Sequence, residues 1–281
     1  MSSGGSLKIG TKLSLALILT LLLAVFATGG GSERAFAEDD TIGSLLERLN
    51  DKDSGQVESG KLVYINDGKE LGSENYVIRK KKDGGLALNS EGVVTPPIPI
   101  PFVKPKIKFN QTIHLDNNLE PVSLSLQYKG PLGIGSKKIT ATVNDNFLEI
   151  KRGKKEKSLE LTEGRYFFTG TTSSGALFAI VIAREGAISN LTEILSGGTG
   201  PRGGNEDKVL SKVVFETSQT RTMKVDGKAT EVTGYTYREE ETGRKRELIM
   251  RGGSLIAYRA KSEDSSFYAF REDLLGKGFR F

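Results

Sequence analysis

From Gly60 to the C-terminus, apolar and polar residues alternate with a period of two over short runs. Turn-forming pairs such as Asp67-Gly68 and Asp226-Gly227 separate the runs. Alternation of this kind predicts β-strands with one buried face. The runs that we predict as strands are Lys61–Asn66, Leu71–Arg79, Leu86–Val94, Lys106–Asp116, Val122–Tyr128, Lys137–Val143, Phe147–Lys151, Ser158–Leu161, Arg165–Phe168, Val209–Glu216, Thr220–Val225, Lys228–Arg238, Arg246–Met250, Leu255–Lys261 and Ser266–Arg271.

The short connections between these runs predict the topology of the sheet. Strands joined by tight turns pair as antiparallel neighbours, and the sequence has no period that indicates a solenoid. We therefore expect a single, mainly β, antiparallel domain over residues 60–281, with a Gly-rich loop near 197–205.

Two segments depart from the period of two. In 38–59, apolar residues recur at helical spacing from Ile42 to Leu49, which predicts a short N-terminal helix followed by a linker. The first half of Ser173–Leu195 is apolar on both faces. Its serines can cap a helix, whereas its β-branched residues favour a buried strand. Periodicity does not decide between the two, and we expect a helix in at least part of this segment.

The N-terminus carries the pattern of an export signal. Two lysines precede the apolar run Leu13–Ala27, which is about 15 residues long and shorter than a comfortable membrane span. Ala35-Phe36-Ala37 then provides the small-x-small sequence that a signal peptidase cleaves. We predict a signal peptide over 1–37; the alternative is an uncleaved N-terminal membrane anchor. Both place residues 38–281 outside the cytoplasm, in the periplasm or secreted.

Cleavage would change the charge of the protein. The chain has 40 Lys and Arg against 35 Asp and Glu, a net charge of +5. Residues 1–37 contain three of the basic residues and one of the acidic ones, so the mature chain would carry +3. A charge this small does not indicate a nucleic-acid-binding surface.

The composition also limits the chemistry that the chain can perform. With no Cys and a single His, the sequence excludes disulfides, thiol nucleophiles, a lipid-modified N-terminal Cys and sites that need two imidazoles. His114 lies on the polar side of its predicted strand, where we expect exposure rather than catalysis. The sequence 198–203 fits G-x-G-x-x-G, but it lies in a polar loop and Pro201 removes an amide, so we expect no dinucleotide site and no cofactor.

The acidic residues do not identify an enzyme. Hydrolysis of a glycosidic bond needs two carboxylates on one sugar, and the sequence gives no reason to select a pair. The acidic residues considered for such a pair are Glu70, Glu74, Glu149, Glu160 and Glu216. We predict no catalytic or metal-binding residues, and the enzymatic status of the chain stays open.

Two further surface features could have a function. Residues 95–106 contain five of the eight prolines and form either a connection over a sheet edge or a lid over an apolar interior. Lysines cluster at two predicted hairpin turns, where they protect edges or, if the turns lie side by side, contact an anionic membrane. The lysines proposed for this contact are Lys80, Lys81, Lys154 and Lys155.

Several short motifs resemble a group of bacterial extracytoplasmic domains related in shape to the LolA/LolB-like lipoprotein carriers. Gly60 to Tyr76 reads G-x-L-x-Y, then D-G-K-x-L-G-S-E-x-Y. Residues 118–121 (NLEP) open a following strand. The second half has V-D-G-K at 225–228, Y-T-Y at 235–237 and G-S-L-I at 253–256. The resemblance covers roughly residues 60–271. It implies a curved, unclosed β-barrel around an apolar interior that a helix or loops plug.

The resemblance also implies a lipid or another apolar molecule as the ligand of the barrel. The residues predicted to line the interior are Phe102, Leu124, Leu126, Tyr128, Phe168, Phe178, Ile180, Tyr235 and Phe267. The alternative for the same residues is a dry core that nothing enters. Two other functions stay open: a structural envelope protein that binds a protein partner by strand pairing, and an enzyme acting on a polysaccharide.

Overall fold

Strands dominate the structure, a computed structural model that describes residues 47–50, 55–95, 106–130, 136–195, 209–261, 266–277 and 279–280. Two helices accompany them in the described ranges, α1 (Ser174–Glu185) and α2 (Glu272–Leu275), and residues 47–50 are also helical. The strands are β1 (Gln56–Asn66), β2 (Lys69–Lys80), β3 (Leu86–Val94), β4 (Ile107–Leu115), β5 (Pro121–Lys129), β6 (Lys137–Asn144), β7 (Phe147–Arg152), β8 (Lys155–Glu160), β9 (Tyr166–Thr169), β10 (Asn190–Leu195), β11 (Leu210–Val225), β12 (Lys228–Glu239), β13 (Lys245–Arg251), β14 (Ser254–Lys261) and β15 (Ser266–Arg271).

All of these strands belong to one curved sheet with the order β8-β7-β6-β5-β4-β3-β2-β1-β15-β14-β13-β12-β11-β10-β9. Consecutive strands pair throughout except for β8 and β9, and β1 also pairs with β15, which brings the start and end of the domain together in the middle of the sheet. The edges are β8 and β9, and they do not pair with each other, so the barrel is unclosed. The predicted fold class, a mainly β, curved and unclosed antiparallel barrel, is confirmed.

One pair of strands departs from the antiparallel prediction. β9 and β10 are parallel, with Tyr166 opposite Thr192. Parallel neighbours require a crossover, and α1 supplies it between the two strands. The separate strands predicted over 209–216 and 220–225 are one long strand, β11, with an irregular register between Phe215 and Thr217.

α1 lies in the interior that the sheet encloses. Every residue from Ala176 to Ile182 is buried, and the helix packs against β9, β13 and β14. A helix buried on all sides carries no amphipathic period, which is why the sequence pattern did not decide its type. The prediction of a helix in part of 173–195 is confirmed, and the remainder of that segment forms β10.

A second, smaller apolar cluster lies on the opposite face of the sheet. Val63 and Ile65 of β1 share it with Tyr268 and Phe270 of β15. The side chains of α2 and Phe279 pack against this cluster, so the C-terminal segment covers apolar surface that would otherwise meet water.

Several sequence predictions lie outside the described residues. These are the signal peptide and its cleavage site, most of the N-terminal helix, the Pro-rich segment at 96–105 and the G-x-G-x-x-G match at 198–203. Within the described ranges, no helix combines the length and the apolar character needed to cross a bilayer.

Candidate functional site

The curved sheet encloses a cavity of about 40 Å³ between α1 and the strands β9 to β14. Aromatic and aliphatic side chains form most of its wall, with a few polar groups. A volume of this size holds about two or three water molecules or one small chemical group. The residues around it are Phe167, Thr169, Gly170, Thr171, Thr172, Ser174, Gly175, Phe178, Leu191, Glu193, Val213, Tyr237, Arg246, Leu248 and Tyr258.

The aromatic part of the wall centres on Phe178 of α1. Its ring lies 4.9 Å from that of Phe167 and 5.4 Å from that of Tyr237, centroid to centroid, in tilted arrangements. These are the distances at which aromatic pairs attract beyond their simple burial. Phe178 therefore joins α1 to both sides of the cavity.

The polar part of the wall is an ion pair between two strands. Arg246 of β13 donates a hydrogen bond to Oε1 of Glu193 on β10, and both side chains are at least nine-tenths buried. Burial alone would lower the pKa of Arg246, but the carboxylates of Glu193 and Glu239 hold that pKa above its usual value. Arg246 is therefore a permanent cation in a mostly apolar wall.

Glu193 is only half satisfied by this pair. Its second carboxylate oxygen, Oε2, is buried and has no hydrogen-bond partner among the residues that the structure describes. Unpaired buried polar atoms are costly, so such atoms beside a cavity indicate a group that completes them.

A second polar cluster lies at the N-terminus of α1, next to the cavity. Glu74 of β2 is fully buried, and its Oε1 accepts hydrogen bonds from the hydroxyls of Thr171 and Ser173, the latter at 2.7 Å. Its Oε2 accepts from the Tyr64 hydroxyl and, at 3.1 Å, from the backbone N–H of Ser173. Burial raises the pKa of Tyr64 well above its usual value, and Glu74 raises it further, so Tyr64 stays a neutral donor.

Gln111 extends this cluster across the interior to β4. Its Oε1 accepts a hydrogen bond from the backbone N–H of Thr171 at 2.7 Å, and its Nε2 donates to the hydroxyl of Ser173 at 3.4 Å. The close approach requires glycine at 170, because a Cβ there would lie 1.6 Å from Oε1 of Gln111. The chain entering α1 is thus fixed by two strands at once.

The C-terminal end of α1 is held by a separate set of contacts. Arg184 donates to the backbone carbonyl of Asn117 at 3.0 Å, and Glu185 pairs with Arg165 at 2.8 Å. Arg165 also pairs with Glu120, so it connects the end of α1 to the turn between β4 and β5. Polar contacts fix both ends of the helix, and apolar packing alone surrounds its middle.

The predicted lining residues lie mostly in the packed core rather than at the cavity. Phe178 lines the cavity, Phe102 lies outside the described residues, and Tyr235 is partly buried beside the core. The six others are buried in the same continuous cluster: Leu124, Leu126, Tyr128, Phe168, Ile180 and Phe267.

The polar residues of the interior are not among the site residues predicted from the sequence. Each of them has at least one buried apolar neighbour two positions away on its strand: Gln111 lies between Phe109 and Ile113, and Arg246 precedes Leu248. Glu74 was considered only for a carboxylate pair, with a solvated position as the alternative, yet it faces inward with Tyr76. A polar residue in phase with an apolar face is the signal that would have identified them.

The outer face of β2 to β6 holds a wider, open depression of about 450 Å³. Amide and hydroxyl side chains dominate its lining, and one residue of its described lining, Glu91, carries a carboxylate. A glycosidase site needs two carboxylates, so this depression does not supply one. Among the described residues, no group of three His, Asp or Glu side chains could hold a metal ion.

The remaining predicted surface residues occupy the following positions. His114 is half-buried on the polar face of β4, and burial lowers its pKa. Lys80 is the last residue of β2 and Lys81 follows it, whereas Lys154 lies in the turn after β7 and Lys155 begins β8. The strand register places these two pairs of lysines at opposite ends of the sheet. The side-by-side arrangement considered for a shared membrane contact is therefore not present.

Comparison with known proteins agrees with the fold and adds no function. No protein-family model and no curated protein matches the chain. A β-barrel-like protein from Brucella abortus, a domain of unknown function (DUF1849), matches with a TM-score of 0.51 and 15% identity, covering 77% of this chain and 95% of its own. A DUF1089 family protein from Pseudomonas aeruginosa matches at 0.38 and 12%, covering 65% and 87%. The chain is thus similar in fold to a β-barrel-like protein of unknown function.

Proposed function

We propose that this protein binds an apolar ligand inside its unclosed barrel, at the cavity beside α1. The observation that carries the proposal is the cavity wall itself, in which Phe167, Phe178 and Tyr237 surround space that the core does not fill. Well-packed interiors leave few such spaces, and ligand sites are typically apolar with a small number of polar groups.

The size of the cavity implies that α1 moves when a long ligand enters. A volume near 40 Å³ accommodates the end of an alkyl chain, not its full length. The contacts along the middle of α1 are apolar and non-directional, whereas Glu74 and Arg165 hold its two ends. Releasing one end would open the space now occupied by the helix without breaking a strand pair.

The lipid-carrier resemblance of the sequence supports the same ligand class. We propose that the ligand is a lipid or another apolar envelope molecule, and that the protein meets it after export directed by residues 1–37. An exported protein would lie close to the membranes of the envelope, whose lipids are apolar.

The alternatives find less support in the geometry. Strand pairing with a partner needs an accessible edge, but four of the six residues of β8 are charged, and charged edges resist pairing. The other edge, β9, is buried and lies close to β5.

Native mass spectrometry of protein purified gently from an envelope extract tests the proposal. We expect a population whose mass exceeds that of the polypeptide by one apolar molecule, which dissociates on collisional activation. A bare polypeptide, together with no uptake of a fluorescent alkyl probe, would reject ligand binding. The mass of the polypeptide itself tests export, because cleavage after Ala37 leaves a chain that begins at Glu38.

A further inference from the structure

The buried ion pair of the cavity wall leaves one carboxylate oxygen without a hydrogen-bond partner. Glu193 lies on the wall with one oxygen bound by Arg246 and the other, Oε2, without a partner among the described residues. Only 8% of the Glu193 side chain is exposed, so bulk water does not satisfy this oxygen. A carboxylate oxygen accepts hydrogen bonds and does not donate them.

The charges near this oxygen also bear on which polar group the ligand can carry. Arg246 contributes one positive charge, and Glu193 contributes one negative charge. Glu239 lies close enough to raise the pKa of Arg246, and it accepts hydrogen bonds from Ser211 at 2.6 Å and from Thr242 at 2.5 Å. On the wall itself the charges of Arg246 and Glu193 sum to zero, whereas Glu239 lies outside the wall and is close to Arg244 as well as Arg246. What remains at Oε2 is an acceptor without a partner in a region of low dielectric constant, which attracts a hydrogen-bond donor and repels another carboxylate.

We infer that the cavity takes a ligand whose polar end is a hydrogen-bond donor, a primary ammonium or a hydroxyl, which donates to Oε2 of Glu193. The inference rests on the proposed function, because it describes the polar end of the same apolar ligand. A cavity of about 40 Å³ has the size of such an end group together with its first methylene units. A free fatty acid, whose carboxylate would face Glu193, is disfavoured.

Three probes with the same alkyl chain and a terminal ammonium, hydroxyl or carboxylate test this selectivity. Titrated against the full protein above pH 7 and followed by calorimetry, the ammonium and hydroxyl probes are expected to bind at least about tenfold more tightly than the carboxylate probe. Equal affinities for the three probes would overturn the inference while leaving apolar binding intact. Binding of none of them would instead reject the proposed function.

The variant Glu193→Gln assigns the selectivity to this residue. A glutamine amide can donate to a carboxylate and removes the negative charge, so we expect the preference between ammonium and carboxylate to fall by about tenfold or to reverse. Glu149→Gln, on the exposed side of β7, is the matched control and should keep the wild-type order. A folded Glu193→Gln protein with unchanged preference would overturn the assignment, and the wild-type comparison decides the selectivity if this variant does not fold.

Discussion

Glu58 of β1 illustrates how a single buried carboxylate couples the fold to pH. Its Oε1 accepts hydrogen bonds from Arg271 at 2.8 Å and from the Tyr76 hydroxyl at 2.9 Å, and its Oε2 is buried with no partner in the described part of the chain. Arg271 is held in turn by Asp273 at 2.8 and 2.5 Å. Glycine at 60 makes room for it, because a Cβ there would lie 2.2 Å from Nε of Arg271.

Burial raises the pKa of Glu58 from 4.5 to about 7, although Arg271 and Tyr76 act in the opposite direction. Between these two values the folded protein keeps a proton that the unfolded chain has lost. Stability therefore falls as the pH rises from about 5 to 8, by up to about 3 kcal/mol for this group. Urea unfolding at pH 5, 6, 7 and 8 measures the change.

The variant Glu58→Gln removes this ionisation and keeps the size of the side chain. We expect its unfolding free energy to change less between pH 5 and 8 than that of the wild type. The same pH dependence in both proteins would mean that Glu58 is not the group responsible.

At the scale of the element, α1 is a buried helix. Polar contacts hold its two ends, and apolar side chains pack around its middle. The carboxylate of Glu74 lies at its N-terminus, where the free backbone N–H groups and the helix dipole favour a negative charge. Four donors converge on this carboxylate, so its removal would leave Tyr64, Thr171 and Ser173 without their acceptor.

We predict that Glu74→Ala destabilises the protein by roughly 2–4 kcal/mol, because several buried donors lose their partner at once. Amide hydrogen exchange should accelerate in the first turn of α1 more than in the central strands. Glu70→Ala, an exposed change on the same strand, should alter stability by less than about 0.5 kcal/mol. Equal effects of the two variants would contradict the role assigned to Glu74.

The sequence predicted the strands well because alternation is a local property. The apolar face of β4, with Ile107, Phe109, Ile113 and Leu115, alternates along the chain as it does in the structure. The parallel pairing of β9 with β10 and the contact of β1 with β15 depend on residues far apart in the chain, and no local pattern encodes them. The alternation along β4 indicates that Gln111 faces inward, but it does not indicate its partners Thr171 and Ser173, which immediately precede α1.

At the scale of the whole molecule, the sheet and α1 form an unclosed barrel filled by its own helix. The side chains around the helix are mostly apolar. The sheet that surrounds it is continuous from its edge strand β8 to its edge strand β9. A ligand in this interior competes with α1 for space. Ligand binding and displacement of α1 are therefore coupled. A side chain that fills the remaining cavity should prevent both the binding and the displacement.

Gly175 offers the position for such a side chain. It lies on the cavity wall in α1, and a Cβ there would contact Leu255 at 3.6 Å and Leu248 at 3.8 Å, which are ordinary packing distances. Alanine fits without displacement and favours the helix, so Gly175→Ala serves as the folded control. We expect the longer side chain of Gly175→Leu to extend into the cavity, because Gly175 lies on its wall.

The most direct test of ligand binding in the barrel is a titration of wild type, Gly175→Ala and Gly175→Leu with one fluorescent alkyl probe. We expect saturable binding to the wild type and an affinity at least about tenfold lower for Gly175→Leu, with circular dichroism unchanged. Gly175→Ala should lie between these two proteins. Saturable binding of equal strength to wild type and Gly175→Leu would place the ligand elsewhere, and no binding to the wild type would contradict the account as a whole.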